Sequence, residues 1–308
     1  MAFLTQEQLD ALAQFDTPTI CNAIEGFGVR GRTEGFTRPE LRMRAAMSDK
    51  PMVGYARTGV ISARQPATPA HSAVMEAYYR QYEDFDLPMV AAIQDLDRVP
   101  VGSFWGDVQA TVHRALGCIG VITDGGVRDI EEVKRVGFYL FSKEVLISHA
   151  YIHMVEAGTA VDICGMTVRP GDLIHADAHG AIVIPQEIAG QLAEACVRAM
   201  DAEEALKGPC QAAIARGERV TAKEIMAWRG EMQRRHCAEA RTSVERGLSH
   251  EIHSRIPAAV RHSGGGEGRY VPPGRRDAAE EPAVQRHAGR PLPRHDPPER
   301  LCDPHRAG

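Results

Sequence analysis

The sequence predicts an α/β fold in which short buried strands alternate with amphipathic helices. The clearest sign is the apolar run Ile119–Ile122, which ends at Gly125-Gly126 as a buried strand ends in a tight turn. A helix start follows that turn, because Glu131 and Glu132 place acidic side chains in a first helical turn. Near the other end, residues 186–206 carry apolar residues at helical spacing.

The elements before this stretch are predicted from polar caps, a first-turn proline and apolar periodicity. The predicted helices cover residues 5–15, 16–26 and 68–82, and the predicted strands cover 52–61 and 87–93. Residues 29–51 are basic and without periodicity, which predicts an irregular surface loop.

The elements after residue 100 follow the same rules. A helix is predicted to open at Gly106-Asp107, and a strand at 137–141. Two hairpins follow, turning at Cys164-Gly165 and at 178–180, and a second helical segment is predicted from about 210 to 234. Beyond about 236 periodicity fades and Arg, Pro and His accumulate. We therefore predict a folded domain over 1–235 and a low-order Arg/Pro/His-rich tail over 236–308.

Composition excludes several classes of partner. The net charge of −5 and pI of about 6.2 favour neither nucleic acid nor an anionic membrane as partner. No apolar run approaches the roughly 18–20 residues of a spanning helix, and the N-terminus lacks the basic and apolar segments of a signal peptide. The cysteines are odd in number and never spaced as CxxC, which argues against a disulfide framework or zinc site. A cytoplasmic location is expected.

Arg128 and Asp129 mark the candidate site. They follow a predicted strand and precede a predicted helix, and ligands bind at this edge of open α/β sheets. The helix predicted at Gly106-Asp107 would offer free N–H groups to an anion such as a carboxylate. Without further pattern, Arg128-Asp129 could equally be a local ion pair capping a helix, and Asp107 only a helix N-terminal acid.

A larger pattern surrounds these residues. Asp107 is followed after twenty residues by Arg128-Asp129 and then by the acid Glu132, and the Pro170–Pro185 turn and hairpin lie downstream. The pattern over roughly 10–230 resembles a family that contains the 4-hydroxy-4-methyl-2-oxoglutarate and 4-carboxy-4-hydroxy-2-oxoadipate aldolases and the regulator of ribonuclease E activity. An older name for this family is demethylmenaquinone methyltransferase.

The resemblance implies a swivelling β/β/α sandwich domain with a helical C-terminal segment. It implies a homotrimer or homohexamer with active sites between subunits. The implied activity is that of a class II lyase, which cleaves a 4-hydroxy-2-oxo acid to pyruvate with Mg²⁺ or Mn²⁺ and also decarboxylates oxaloacetate.

The resemblance also implies roles for individual residues. Asp129 would bind the metal directly, while Asp107 and Glu132 would hold metal-bound water. Arg128 and Asp107 are the expected catalytic residues. Arg128 would offer its guanidinium to the substrate oxygen and the enolate. Backbone N–H groups of Trp105, Gly106, Asp107 and Val108 would hold the substrate carboxylate.

Two further expectations concern neighbouring side chains. An acid from the C-terminal helix of an adjacent subunit, Glu203 or Glu204, would assist proton transfer. Phe104 and Trp105 stand where the family often has Gly or Ala, so their bulk is expected to reshape the acyl side of the pocket.

Two other functions have less support in the sequence. The hypothesis of a non-catalytic regulator of ribonuclease E depends on the family resemblance alone, and binding to a ribonuclease would not need the acidic residues or Arg128. A methyltransferase is disfavoured because the sequence has no glycine-rich S-adenosylmethionine loop followed by an acidic ribose ligand.

Overall fold

The computed structural model describes residues 3–236, and it confirms the α/β prediction. The helices are α1 Gln6–Leu12, α2 Thr17–Phe27, α3 Ala70–Arg80, α4 Asp107–Ala115, α5 Ile130–Val136 and α6 Ala189–Ala215, and residues 222–236 form a further helix, α7. The strands are β1 Arg42–Ala45, β2 Met52–Ser62, β3 Met89–Asp95, β4 Cys118–Val127, β5 Tyr139–Val145, β6 His153–Ala157, β7 Val161–Ile163, β8 Met166–Val168, β9 Leu173–Asp177 and β10 Gly180–Ile184.

A mixed sheet organises the domain. Its strand order is β1-β5-β4-β3-β2-β9-β10, and β6 also pairs with β2. Strands β2, β3, β4 and β5 run parallel, whereas β1, β6 and β9 pair antiparallel with their neighbours. The carboxyl ends of four neighbouring strands therefore meet at one edge of the sheet. Strands β7 and β8 form a separate hairpin.

Both faces of the sheet are covered by apolar packing. On one face α3, α4 and α5 pack through a cluster that includes Ile93, Trp105 and Phe138. On the other face the β7–β8 hairpin covers Val90 and Ile122. Because β3 and β4 are buried on both faces, their sequences read as continuous apolar runs rather than alternating ones.

Three predictions of secondary structure were wrong in detail. The predicted loop at 29–51 contains β1, a short edge strand that pairs with β5. Its two arginines gave it no apolar pattern from which the strand could be predicted. The helix predicted to end near 206 continues to Ala215 with Pro209 inside it, and a new helix begins only at 222. Proline at that position removes one helical N–H without ending the helix. The predicted tail, from 237 onward, lies outside the described residues.

Within the described residues, no helix is long and apolar enough to cross a membrane. The five cysteines in this part of the chain are all free thiols, as the sequence predicted. The hairpin at Cys164-Gly165 is confirmed, and both turn residues have positive φ angles, 49° and 80°.

Candidate active site

The loop that precedes α4 is fixed against the carboxyl end of β4. The backbone carbonyl of Trp105 accepts a hydrogen bond from the Arg128 N–H at 2.9 Å. The Ser103 hydroxyl lies 2.6 Å from the Trp105 carbonyl and 3.0 Å from the Gly126 carbonyl. This buried hydroxyl ties the loop to the strand, so that the start of α4 lies beside Arg128 and Asp129.

Asp129 adopts a backbone conformation that few residues adopt. Its φ and ψ angles are 53° and 41°, in the left-handed region, where Asp and Asn are the most frequent residues after glycine. Although Asp129 precedes α5, its side chain makes no capping bond to that helix. The Oδ2 atom instead lies 3.4 Å from the backbone nitrogen of Asp107, at the start of α4. The left-handed turn thus directs the carboxylate of one helix start toward the other.

Arg128 completes this arrangement. Its Nε lies 3.5 Å from Asp129 Oδ2, and both side chains are about one-third exposed, at 35% and 33%. The separation is long for an ion pair and solvent reaches both groups, so the pair is weak and open to ligands. The structure therefore brings together Asp107, Arg128 and Asp129, as the sequence predicted.

Gly106 permits the close approach of these groups. A Cβ atom at this position would lie 2.5 Å from Asp129 Oδ2 and 3.3 Å from Arg128 Cγ. Any side chain here would therefore displace the carboxylate of Asp129. The need for glycine at Gly106 comes from close contact and not from a positive φ angle, since its φ is −161°.

The start of α4 already contacts carboxylates of the chain itself. Besides the long Asp107–Asp129 contact, the Val108 N–H donates to the Asp107 side chain at 2.7 Å. A helix start that attracts two carboxylates has the polarity expected of a site for an external carboxylate. A ligand would have to replace these contacts, of which the 3.4 Å contact is the weaker.

Three other predicted residues lie apart from this group. Glu132 forms an exposed ion pair with Arg135 at 2.9 Å. Glu203 and Glu204 both lie near Lys207 on α6, at 3.6 and 3.4 Å. None of the three side chains contacts Asp129 within the described chain, so their roles at the site stay predictions.

The expectation for Phe104 and Trp105 was wrong. Their side chains are 5% and 1% exposed and pack in the core against His113 and Phe138, not toward the sheet edge. Both rings contact His113 of α4, so the two side chains join the core under that helix. Trp105 can therefore reach a ligand only through its backbone.

The donors present fit a hydrated divalent ion. Mg²⁺ commonly binds one or two protein carboxylates and keeps several water molecules. Among residues 3–236 no group of three or more His, Cys, Asp or Glu side chains is arranged to hold a metal, so the described chain offers no all-protein cage. The partly exposed carboxylate of Asp129, with Asp107 next to it, offers one direct ligand and a second acid for bound water.

Acidic residues at the end of β3 were missed by the sequence reasoning. Asp95 and Asp97 are each 7% exposed. The Asp95 N–H donates to Asp124 Oδ1 at 2.8 Å, and the Asp97 N–H donates to Asp95 Oδ1 at 2.9 Å. Burial raises the pKa of Asp95 and of Asp124 to about 6. Two acids directly after a buried strand were the signal that could have located them.

Asp97 in turn holds an arginine at this edge. Its carboxylate accepts from the Ser62 hydroxyl at 3.1 Å and from the Ala63 N–H at 3.0 Å, and it pairs with Arg64 at 3.6 Å. Arg64 lies two residues after the end of β2, so the carboxyl edge carries a second guanidinium besides Arg128.

A cleft of the described chain lies away from these residues. It has a volume of about 550 Å³ and is found at the amino ends of β2 and β5, where its lining includes Asp16, Lys50, Tyr139 and His179. Parallel strands put their amino and carboxyl ends at opposite edges, so this cleft is remote from Arg128. The candidate active site is therefore not part of this cleft.

Comparison with protein families identifies the chain. A family model described as RraA-like, Aldolase/RraA, matches residues 17–183, more than half of the sequence. The chain belongs to the RraA-like family. The matched region includes Asp107, Arg128 and Asp129, which the structure brings together.

Curated relatives in the RraA-like family agree with this assignment. A protein of Halalkalibacterium halodurans, named as a proposed 4-hydroxy-4-methyl-2-oxoglutarate aldolase, is 28% identical over 59% of this chain and 80% of its own length. An uncharacterized protein of Methanocaldococcus jannaschii is 34% identical over 29% of this chain, and the match spans 44% of that protein.

Solved structures confirm the RraA-like fold, and with it the β/β/α architecture that the resemblance implied. An uncharacterized protein from Pseudomonas syringae superposes with a TM-score of 0.54 at 22% identity, covering 74% of this chain and 95% of its own. Streptomyces coelicolor RraAS2, described as an unusual member of the RNase ES inhibitor RraA protein family, superposes with a TM-score of 0.52 at 21% identity. The superposition covers 66% of this chain and 96% of the RraAS2 chain.

Proposed function

We propose that this protein is a class II lyase that depends on a divalent metal ion and cleaves a 4-hydroxy-2-oxo acid to pyruvate by retro-aldol chemistry. Decarboxylation of oxaloacetate is proposed as a second activity of the same site. The observation that carries the proposal is the convergence on Asp129 Oδ2 of the Asp107 N–H, at 3.4 Å, and Arg128 Nε, at 3.5 Å. A carboxylate, a guanidinium and a helix start are then available to one small anion.

This set suits the chemistry, because both reactions leave negative charge on the C2 oxygen of a pyruvate enolate. Groups already aimed at that charge lower the barrier most. When bound to Asp129, Mg²⁺ or Mn²⁺ would supply Lewis-acid stabilisation of that oxygen, with Asp107 and Glu132 accepting hydrogen bonds from its water ligands.

The remaining steps belong to groups of the chain. Arg128 donates to the developing oxyanion through its planar guanidinium. The N–H groups of Trp105–Val108 hold the pyruvyl carboxylate and so fix the orientation of the bond that breaks. The left-handed backbone at Asp129 keeps its carboxylate on the side of α4, where the substrate carboxylate also binds.

We further propose that the protein works as a homotrimer or homohexamer whose active sites lie between subunits. Apolar side chains surround the carboxyl edge at high exposure, including Leu96 at 54%, Val99 at 65% and Ile147 at 97%. Exposed apolar side chains in one region are typical of surfaces that bind another protein. A neighbouring subunit seated there would give the open edge a second wall and could bring in Glu203 or Glu204.

Pyruvate release, coupled to lactate dehydrogenase, tests the proposal. The purified protein is assayed on oxaloacetate and on 4-hydroxy-2-oxo acids after chelation, and again after Mg²⁺ or Mn²⁺ is added back. We expect metal-dependent turnover that falls at least 100-fold in Arg128→Ala, in line with the loss of one preorganised donor. The matched control Arg80→Ala removes an exposed guanidinium that pairs with Glu76 on α3.

Two results would contradict the lyase proposal: no turnover on the whole panel, or equal turnover by the wild type and Arg128→Ala. A protein that failed this assay but co-purified with the scaffold region of ribonuclease E would instead support the non-catalytic alternative.

A further inference from the structure

We infer that Arg64 is a specificity-determining residue that binds the distal carboxylate of a dicarboxylic substrate. This inference rests on the proposed function, because it assigns the second carboxylate of a substrate whose 2-oxo end lies at Asp129 and Arg128. Arg64 is 52% exposed in its side chain and follows the carboxyl end of β2. It therefore lies on the same sheet edge as the candidate active site.

The guanidinium of Arg64 is held along one side only. Its Nε pairs with Asp97 Oδ1 at 3.6 Å, and its Nη2 donates to the Val99 carbonyl at 3.0 Å. The opposite side, formed by Nη1 and the second N–H of Nη2, has no partner in residues 3–236. A guanidinium with one side fixed and the other free is suited to bidentate binding of a carboxylate.

Asp97 gives Arg64 a partner with a fixed position. Its side chain is 5% exposed and is held by the Ser62 hydroxyl and the Ala63 N–H, so it cannot follow Arg64 into solvent. The 3.6 Å pairing is long and weak, so together with the Val99 carbonyl it orients the half-exposed guanidinium without blocking its free side. The pairing also explains why a charged side chain is buried after β3.

The partners of Arg64 turn it toward the centre of the sheet edge. Strands β2 and β4 both pair with β3, and the partners of the Arg64 guanidinium, Asp97 and Val99, follow β3. The guanidinium therefore lies beside the segment that follows β3, the strand between β2 and β4.

The loop before α4 links the two ends of this proposed subsite. At one end a Cβ atom on Gly102 would lie 2.6 Å from the Cβ of Ala63, the residue before Arg64. At the other end Gly106 contacts Asp129 and Arg128. Residues 102–106 thus connect the segment that carries Arg64 to the segment that carries Arg128. The packing of this loop helps to fix the distance between the two segments.

Paired substrates test the inference. The diacid 4-hydroxy-2-oxoglutarate and the monoacid 4-hydroxy-2-oxopentanoate share the reacting atoms and differ in the distal carboxylate. We expect Arg64→Gln to lower kcat/KM for the diacid 10- to 100-fold, as for a lost hydrogen-bonded charge pair, mainly through KM. Turnover of the monoacid should change less than about twofold. Arg64→Lys should retain part of the diacid preference, because it keeps the charge but not the planar fork.

The control Arg98→Gln removes an exposed positive charge from the loop after β3, which also carries Asp97 and Val99, and should leave the preference unchanged. The inference would be overturned if Arg64→Gln lowered kcat/KM equally for the diacid and the monoacid, or if it left the preference for the diacid unchanged.

Calorimetry separates this outcome from failure of the lyase proposal. With Mg²⁺ present, 2-oxoglutarate and 2-oxopentanoate can be titrated without any bond being cleaved. A preference for the diacid that disappears in Arg64→Gln supports the subsite even if no substrate is turned over. A wild-type protein that binds both acids equally refutes it.

Discussion

Replacing Asp95 by Asn should change the stability of the protein in a way that depends on pH. Burial raises the pKa of this carboxyl from 3.8 to about 6. One oxygen, Oδ1, accepts from the Asp97 N–H, while Oδ2 is buried and has no partner among the described residues. The folded protein therefore binds a proton here more tightly than the unfolded chain does. The stability that Asp95 contributes is present at low pH and is lost as the pH rises through about 6.

The size of the effect follows from these two pKa values. The ionisation of Asp95 costs the folded state about 3 kcal/mol at pH 8 and about half of that at pH 5, taking a pKa of 3.8 for the unfolded chain and of about 6 for the folded one. Asn cannot ionise, so it avoids both costs. Any fixed cost of burying the amide NH₂ is the same at both pH values. The stability difference between Asp95→Asn and wild type should then be about 1–2 kcal/mol more favourable at pH 8 than at pH 5.

Urea unfolding followed by circular dichroism at the two pH values measures this difference. Asp97→Asn is the matched control, because the Asp97 carboxylate accepts from Ser62 and Ala63 and pairs with Arg64. It should lower stability by about 1–3 kcal/mol at both pH values. A stability difference for Asp95→Asn that does not vary between pH 5 and pH 8 would refute the reasoning.

Three further outcomes are expected. Gly106→Ala should lower metal-dependent pyruvate release at least 10-fold with little change in Tm, because the added Cβ displaces the exposed carboxylate of Asp129; unchanged release would count against the site. Trp105→Ala should lower the free energy of unfolding by about 3–5 kcal/mol, since the side chain is fully buried, whereas Trp105→Phe should cost less; urea titration compares the two. Burial lowers the pKa of His113 to about 4, so acid favours the unfolded chain, which takes up the proton first. Acidification from pH 7 to 4.5 should then cost about 2.5 kcal/mol at this residue, and His113→Phe should show a shallower loss; an identical pH profile would contradict the assignment.

The central part of the fold could be predicted because local signals and tertiary contacts agree there. The apolar run before Gly125-Gly126 becomes β4, and the acids after it begin α5. Asp107 and Asp129 were predicted as site residues because their spacing matches the pattern of the family that the sequence resembles. The parallel sheet brings the two segments together at one edge. Local pattern is sufficient where each turn leads directly to the next buried element.

The rest could not be predicted, because it depends on contacts distant in sequence. The pairing of Arg64 with Asp97 joins segments after two different strands, and nothing near Arg64 distinguishes it from a solvated arginine. The inward direction of Trp105 depends on its bridge to Val127, which is invisible until strand pairing is known. Strand β1 is a short edge strand that contains two arginines, and its pairing with β5 outweighs its weak local pattern.

The left-handed backbone at Asp129 bears on how the RraA-like family can change over evolutionary time. Asparagine and glycine tolerate this conformation about as well as aspartate, and each is reached from an aspartate codon by one nucleotide change. Such a replacement would remove the negative charge while the turn into α5 kept its shape. The metal-binding role proposed for this position could therefore be lost without loss of the fold, which would be a simple physical route from a catalyst to a protein that only binds.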